Sequence, residues 1–206
     1  MIIFTDGSTL NNGKKNAIGG IGIYIPGQGE NPEIVLAYSL LSNGAVKVTN
    51  QISELIATIL GIEKILTIRP ANSDDTIYIY TDSRYVIDCA TTWCKNWMTN
   101  GWKNAKNKTI DNIWLIYRLI QLTKKYPIIF KHIRAHTEEP DKKSENYLLW
   151  KGNDFVDKLA QEASKNALEE NAKILNWKSF ASVLLSGIHK DMKMNIPYCD
   201  DINACF

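Results

Sequence analysis

The stretch Thr76-Ile77-Tyr78-Ile79-Tyr80-Thr81-Asp82-Ser83 decides how this chain folds. It is rich in β-branched and aromatic residues, so it reads as a strand, and it stops at an acidic residue followed by a helix through about Thr92. The opening Ile2-Ile3-Phe4-Thr5-Asp6-Gly7-Ser8 reads the same way: a short apolar strand ending at an aspartate in a turn. Ile18 to Ile25 alternates Gly with Ile and Tyr, a strand lying close to other backbone, and Glu33 to Leu41 is a third strand after a turn from Pro26 to Pro32. The period then changes. Thr49 is a candidate N-cap, and Leu55, Ile56, Ile59, Leu60, Ile62, Ile65 and Leu66 recur at helical spacing until Pro70 closes the helix. A further helix is predicted from about Ile110 to Lys124, and a fifth strand from Ile128 to Ile133. Glu138 to Gly152 reads as a polar loop, and a last helix starts near Asn153. The order βββαβα…αβα fits an α/β protein: a mixed five-stranded sheet, three antiparallel strands then parallel ones, flanked by helices.

The 206 residues suit one domain with a small appendage. An apolar fraction of 45% and a charged fraction of 22% are those of a globular chain able to bury a core. A net charge of +2 does not announce a nucleic-acid partner, so any basic surface must come from local clustering. Cys89, Cys94, Cys199 and Cys205 lack zinc-ligand spacing and are expected to be free thiols in a reducing compartment. The N-terminus does not resemble a signal peptide and no apolar run spans a bilayer, so an intracellular location is expected, cytoplasmic or with nuclear or nucleoid DNA. Beyond about Asn171, Ile174, Trp177, Phe180, Val183 and Leu184 suggest one more helix, and Lys190 to Phe206 an irregular tail.

Asp6 and Asp82 end two strands, Glu54 lies in the first turns of a helix, and Asp157 sits about one turn into the last one. If the two strands are neighbours, the aspartates repel by several kcal/mol in a partly dry site. Such a cluster persists when a cation neutralises it or a carboxyl keeps its proton. Hard oxygen ligands suit Mg²⁺ or Mn²⁺ and not zinc. A pair of such ions can clamp an in-line phosphoryl displacement. Taken singly, each acid reads equally as a cap or a solvated charge.

Six blocks then appear in one order: Phe4-Thr5-Asp6-Gly7-Ser8, Thr49 to Leu55, Tyr80 to Val86, Trp97 to Lys103, His132 to Thr137, and Gly152 to Ala160. Over Met1 to about Lys165 the chain resembles ribonuclease H of the cellular type 1 family. The resemblance implies an endoribonuclease that cuts the RNA strand of RNA–DNA hybrids with two Mg²⁺ ions, leaving 5′-phosphate and 3′-hydroxyl ends. It implies that Asp6 bridges both ions, that Asp157 completes the ion activating water, and that Glu54 and Asp82 complete the other. His136 matches the family's mobile histidine, whereas His132 and His189 match nothing. Asn12, Asn50 and Gln51 match residues reading the hybrid's minor groove, where the 2′-hydroxyl marks RNA. Asn153 matches a further substrate residue, and Lys47, Thr49 and Asn107 a phosphate pocket. Trp93 to Lys108 resembles the family's basic protrusion, with Trp97, Trp102, Lys103 and Lys106 toward the DNA strand. There the lysines neutralise phosphate, Trp93 is expected in the core, and Trp97 or Trp102 exposed.

The implied organisation is a catalytic domain over 1–168, with its protrusion at about 93–108 and an insertion at about 138–152, and an appendage over 169–206. The insertion departs from the family's pattern and bears on His136. No separate hybrid-binding module, organic cofactor or second subunit is expected. A related transposase, integrase or junction resolvase would share the clustered acids without the Thr49-Asn50-Gln51 block and the Trp-Lys protrusion. A non-catalytic hybrid-binding module would lack a carboxylate that is present here.

Overall fold

The computed structural model describes residues 1–27, 29, 32–43, 46–69, 73–177 and 180. Among these, five strands form one sheet in the order β3-β2-β1-β4-β5. They are β1 (Ile2–Leu10), β2 (Ile18–Ile25), β3 (Ile34–Leu41), β4 (Ile77–Thr81) and β5 (Ile128–His132). The first three run antiparallel; β4 lies parallel to β1, and β5 parallel to β4. The mixed sheet read from the sequence is therefore present.

The strand side chains alternate between two faces, and each face takes one long helix. Helix α1 (Asn50–Ile68) lies over the face of Ile3, Thr5, Gly7 and Thr9. Its Ile52, Leu55, Ile56, Ile59, Ile62 and Ile65 are buried and fill the space against Ile21, Ile23, Ile77 and Ile79. Each such side chain contributes about 1.5–3 kcal/mol of transfer free energy. Helix α1 starts where the sequence places it, with Thr49 Oγ1 accepting from Ile52 N–H at 3.3 Å. Helix α4 (Ile113–Lys125) packs outside α1, with Arg118 Nε donating to Glu63 Oε1 at 3.1 Å.

Helix α5 (Glu145–Lys165) covers the opposite face, that of Phe4, Asp6, Ser8 and β2's Gly22. A Cβ on Gly22 would collide with the backbone oxygen of Val156, so glycine there lets helix and sheet backbones touch. An aromatic row from Tyr80 through Phe4 to Tyr24 and Phe155 braces the same face.

Several sequence boundaries move. Strand β1 does not stop at Asp6-Gly7-Ser8 but continues to Leu10, because β2 pairs with it the whole way, Asp6 opposite Gly22 and Leu10 opposite Ile18. The segment Glu138–Gly152 is not all loop: α5 begins at Glu145, after Ser144 in extended conformation and with an acid in its first turn. Asp157 consequently stands more than three turns into its helix. After β4 the chain forms α2 (Arg84–Asp88), a π-helical turn (Cys89–Trp93) and α3 (Cys94–Thr99).

Beyond α5 the chain returns to the outer edge of β3. Ser39 N–H donates to Lys173 O at 2.8 Å, Leu175 N–H to Ser39 O at 2.9 Å, and Trp177 Nε1 to Leu41 O at 2.8 Å. Phe180 is buried in the core. Cys89 and Cys94 are buried free thiols. Pro70, Val183, Leu184, His189, Cys199, Cys205 and the tail from Lys190 lie outside the described residues, as does part of the Pro26–Pro32 turn. Among the described residues, no helix is long and apolar enough to cross a membrane.

Candidate active site

The register of the parallel pair brings the first two acids together. Phe4 pairs with Tyr80, and two residues further along each chain come Asp6 and Asp82. An even step keeps both side chains on one face, that covered by α5. Glu54 arrives from the other side: Gly7 has no Cβ, and the α1 backbone at Ser53–Glu54 occupies the space one would need. Asp157 comes down from α5.

The electrostatics record the crowding. Asp6 is 8% exposed. Burial, then the charges of Asp82, Asp157 and Glu54, push its carboxyl up to about 8, against a lowering hydrogen bond from the Gly7 backbone. Burial also raises Glu54 to about 7, helped by Asp82 and opposed by hydrogen bonds from Ser83 and Asn50. Asp82 is raised by burial and by Asp157, and the fields of His136 and His132 lower it. These mutual repulsions connect Asp6 with Glu54, Asp82 and Asp157, so the four acids share one locality.

Glu54 and Asp157 are each held by neighbours. Asn50 Nδ2 donates to Glu54 Oε1 at 2.8 Å, and Ser83 Oγ to Glu54 Oε2 at 2.5 Å. Ser83 also caps α2, its Oγ accepting from Val86 N–H at 3.2 Å. Gln161 Nε2 donates to Asp157 Oδ1 at 2.8 Å, and His136 Nδ1 lies 3.8 Å from Asp157 Oδ2. Sequence reasoning assigned no role to Ser83 or Gln161. Their signals are local: Ser83 follows Asp82 at a helix start, and Gln161 stands four residues after Asp157 on one helix face.

Among the described residues, no three His, Cys, Asp or Glu side chains stand so as to coordinate an ion as they are. The acids face one another at Coulombic range, and two of them are tied back by amide and hydroxyl donors. The donor set still fits a hard divalent cation, being all oxygen and short of positive charge in a partly dry spot.

The other candidates fall into groups. Asn12 Oδ1 accepts from Asn50 N–H at 3.2 Å, which brings Asn12, Thr49, Asn50 and Gln51 together at the start of α1, with Lys47 exposed just before it. Lys103, Lys106 and Asn107 are exposed on a tight loop. Asn104 organises that loop, its Oδ1 accepting from Lys106 N–H at 2.9 Å and Lys108 N–H at 3.2 Å. Asn107 is left-handed there (φ 57°) and donates its N–H to Asn104 O.

Three expectations need correcting. Trp93 is not a core residue: it is 38% exposed and packs on Tyr85 and Trp97 at the π-turn. Trp102 is not open to a substrate: it is 7% exposed, turned inward by a left-handed backbone (φ 62°) onto Tyr117. Of the pair expected on the surface, Trp97 is half-buried. Asn153 is buried rather than presented to a ligand, and its carboxamide oxygen has no hydrogen-bond partner among the described residues. His132, with no role in the sequence reading, pairs with Thr81 beside Asp82. His136 has a 76% exposed side chain on a left-handed backbone (φ 51°).

The RNase H family model matches residues 1–165. The ribonuclease H of Ruthia magnifica is 33% identical over 161 residues, covering 78% of this chain and 92% of that protein. Ribonuclease H1 of Rattus norvegicus is 30% identical over 168 residues, covering 81% of this chain. That relative is covered over 51% of its length, so the chain spans about half of it. Among solved structures, LC9-RNase H1, a type 1 RNase H with the type 2 active-site motif, shares the fold at a TM-score of 0.60. Its identity is 20%, over 94% of this chain and 85% of that one. The matches define a ribonuclease by class. The chain belongs to the RNase H family.

Proposed function

We propose that this chain hydrolyses the RNA strand of RNA–DNA hybrids with two Mg²⁺ ions, for which Mn²⁺ can substitute, and leaves 5′-phosphate and 3′-hydroxyl ends. The observation that carries the reading is the convergence of four elements: the register that sets Asp6 beside Asp82, the α1 backbone at Glu54 seated against Gly7, and the α5 backbone at Val156, next to Asp157, seated against Gly22, the β2 partner of Asp6. Bound cations supply Lewis acidity there, lowering the pKa of water and stabilising charge on a departing oxygen. Asp6, the most buried of the four, would serve both ions, Asp157 one of them, and Glu54 with Asp82 the other.

The remaining side chains bind, orient and carry protons. Gln161 fixes the carboxylate plane of Asp157, and Asn50 with Ser83 fixes that of Glu54. His136, exposed and beside Asp157, is placed to move a proton between the site and solvent on Nδ1. Asn12, Asn50 and Gln51 present amides that donate to and accept from the 2′-hydroxyl that distinguishes RNA. Lys47, Thr49 and Asn107 bind one phosphate of the paired DNA strand, and Lys103 and Lys106 of the protrusion bind others, with Trp97 beside them.

The catalytic domain is residues 1–168, its protrusion about 93–108 and its insertion about 138–152, with 169–206 appended. It acts as a monomer inside the cell, without an organic cofactor.

A labelled hybrid incubated with Mg²⁺, Mn²⁺ or EDTA, alongside duplex DNA and duplex RNA, tests the proposal. The expected result is cation-dependent cutting of the hybrid's RNA strand alone, with 3′-hydroxyl products. Cutting of duplex DNA would favour a transposase or resolvase chemistry, and an intact hybrid in every lane would refute the activity.

A further inference from the structure

The loop bearing His136 meets α5 at two points. His136 Nδ1 lies 3.8 Å from Asp157 Oδ2. The next carbonyl, Thr137 O, accepts a hydrogen bond from Trp150 Nε1 at 3.1 Å. Trp150 and Asp157 are seven residues apart, almost two full turns, so they lie on the same face of α5. One helix face therefore carries both the carboxylate and the donor that holds the adjoining loop to it.

Two features make Trp150 more than a surface ring. Its indole is braced, stacked on Tyr147 with ring centroids 6.2 Å apart. Tyr147 and Trp150 both belong to the first two turns of α5, ahead of Gly152. At the loop end, His136 is left-handed (φ 51°), a conformation a non-glycine residue keeps only when its surroundings hold it. The bond to Thr137 O lies immediately after that residue. Without it, an imidazole that is 76% exposed would be restrained mainly by its 3.8 Å approach to one carboxylate, and such an exposed pair is worth little.

We infer that Trp150 is a positioning residue for His136, acting through the Thr137 carbonyl to keep the imidazole at Asp157. The kinetic part of this inference rests on the hybrid-cleavage reading; the structural part does not. Trp150→Phe removes the donor and keeps a ring to stack on Tyr147.

Backbone ¹⁵N relaxation of residues 136–138 reads the tether directly. In the wild type these amides are expected to be as rigid as the neighbouring helix, and in Trp150→Phe their order parameters fall below about 0.6. On a labelled hybrid, Trp150→Phe should lower kcat about five-fold, the worth of one neutral hydrogen bond, and leave KM within about two-fold. In a His136→Ala background the same substitution should cost nothing further. Unchanged order parameters would overturn the inference. So would an equal kcat loss with and without His136, because Trp150 would then act on folding or on another group. If the wild type fails to cut hybrids, the activity reading falls, and relaxation still decides the tether.

Discussion

Replacing Asp6 with asparagine is expected to abolish hybrid cleavage and, in EDTA at pH 8, to raise the melting temperature. Both effects have one cause. The carboxyl of Asp6 is buried and faced by three like charges, which push it up to about 8 from an ordinary value of 3.8. The folded state therefore keeps a proton that the unfolded chain has released. Stability from this group is intact below about pH 4, falls as pH rises, and levels off above about pH 8. Glu54, pushed up to about 7 from 4.5, adds to the same decline over the lower part of that window. Asparagine has the same shape and no charge to desolvate, so Asp6→Asn removes its share of the loss. In a chain of this size each kcal/mol regained is worth about 2–4 °C. Cleavage should fall at least about 10²–10³-fold, the scale of losing one preorganised electrostatic group at a reacting centre, because Asp6 would hold both cations. Melting curves from pH 4 to pH 9 in EDTA, with rates on one labelled hybrid in Mg²⁺, check both halves. A variant that still turns over, or that melts lower than the wild type at pH 8, would remove Asp6 from the centre of the cluster.

The second large effect concerns grip. Lys103 and Lys106 are exposed on the loop organised by Asn104. The double variant Lys103→Ala/Lys106→Ala should weaken hybrid binding more at low salt than at high salt. The slope of log affinity against log salt should flatten by about two, one for each ammonium group taken away from a phosphate. The Asn104 bonds run through main-chain N–H groups of Lys106 and Lys108, so the loop should keep its shape without the two side chains. Fluorescence anisotropy of a labelled hybrid in EDTA at several salt concentrations measures this without turnover. An unchanged slope would mean that the protrusion does not touch phosphate.

What could be read from the sequence was what local chemistry decides. Thr49 as a cap, the isoleucine face of α1 and the glycine-spaced β2 follow from capping, periodicity and close backbone approach, and all three hold. The adjacency of Asp6 and Asp82 required β1 and β4 to be neighbours, a condition the sequence left open and the Phe4–Tyr80 register meets. The failures lie where distant partners override local preference. Asp6-Gly7-Ser8 are turn formers, yet β2 pairs with them and the strand continues. Tyr147, Leu148 and Trp150 gave too short a pattern to reveal the helical start at Glu145. Burial of Trp102 depends on the left-handed turn that aims it at Tyr117, and exposure of Trp93 on the π-helical turn that sets it against Tyr85 and Trp97. The partners of Glu54 and Asp157 were within reach, since Asn50 and Gln161 each stand one helical turn away.

Titrating Mn²⁺ into the wild-type protein near pH 7, with calorimetry in buffers of different ionisation enthalpy, tests the shared cation site at its root. If Asp6 and Glu54 hold protons that a divalent cation must displace, uptake will be accompanied by proton release, and both will be lost in Asp6→Asn. Uptake without proton release, and equal in the two proteins, would mean that these carboxylates do not form a common cation site.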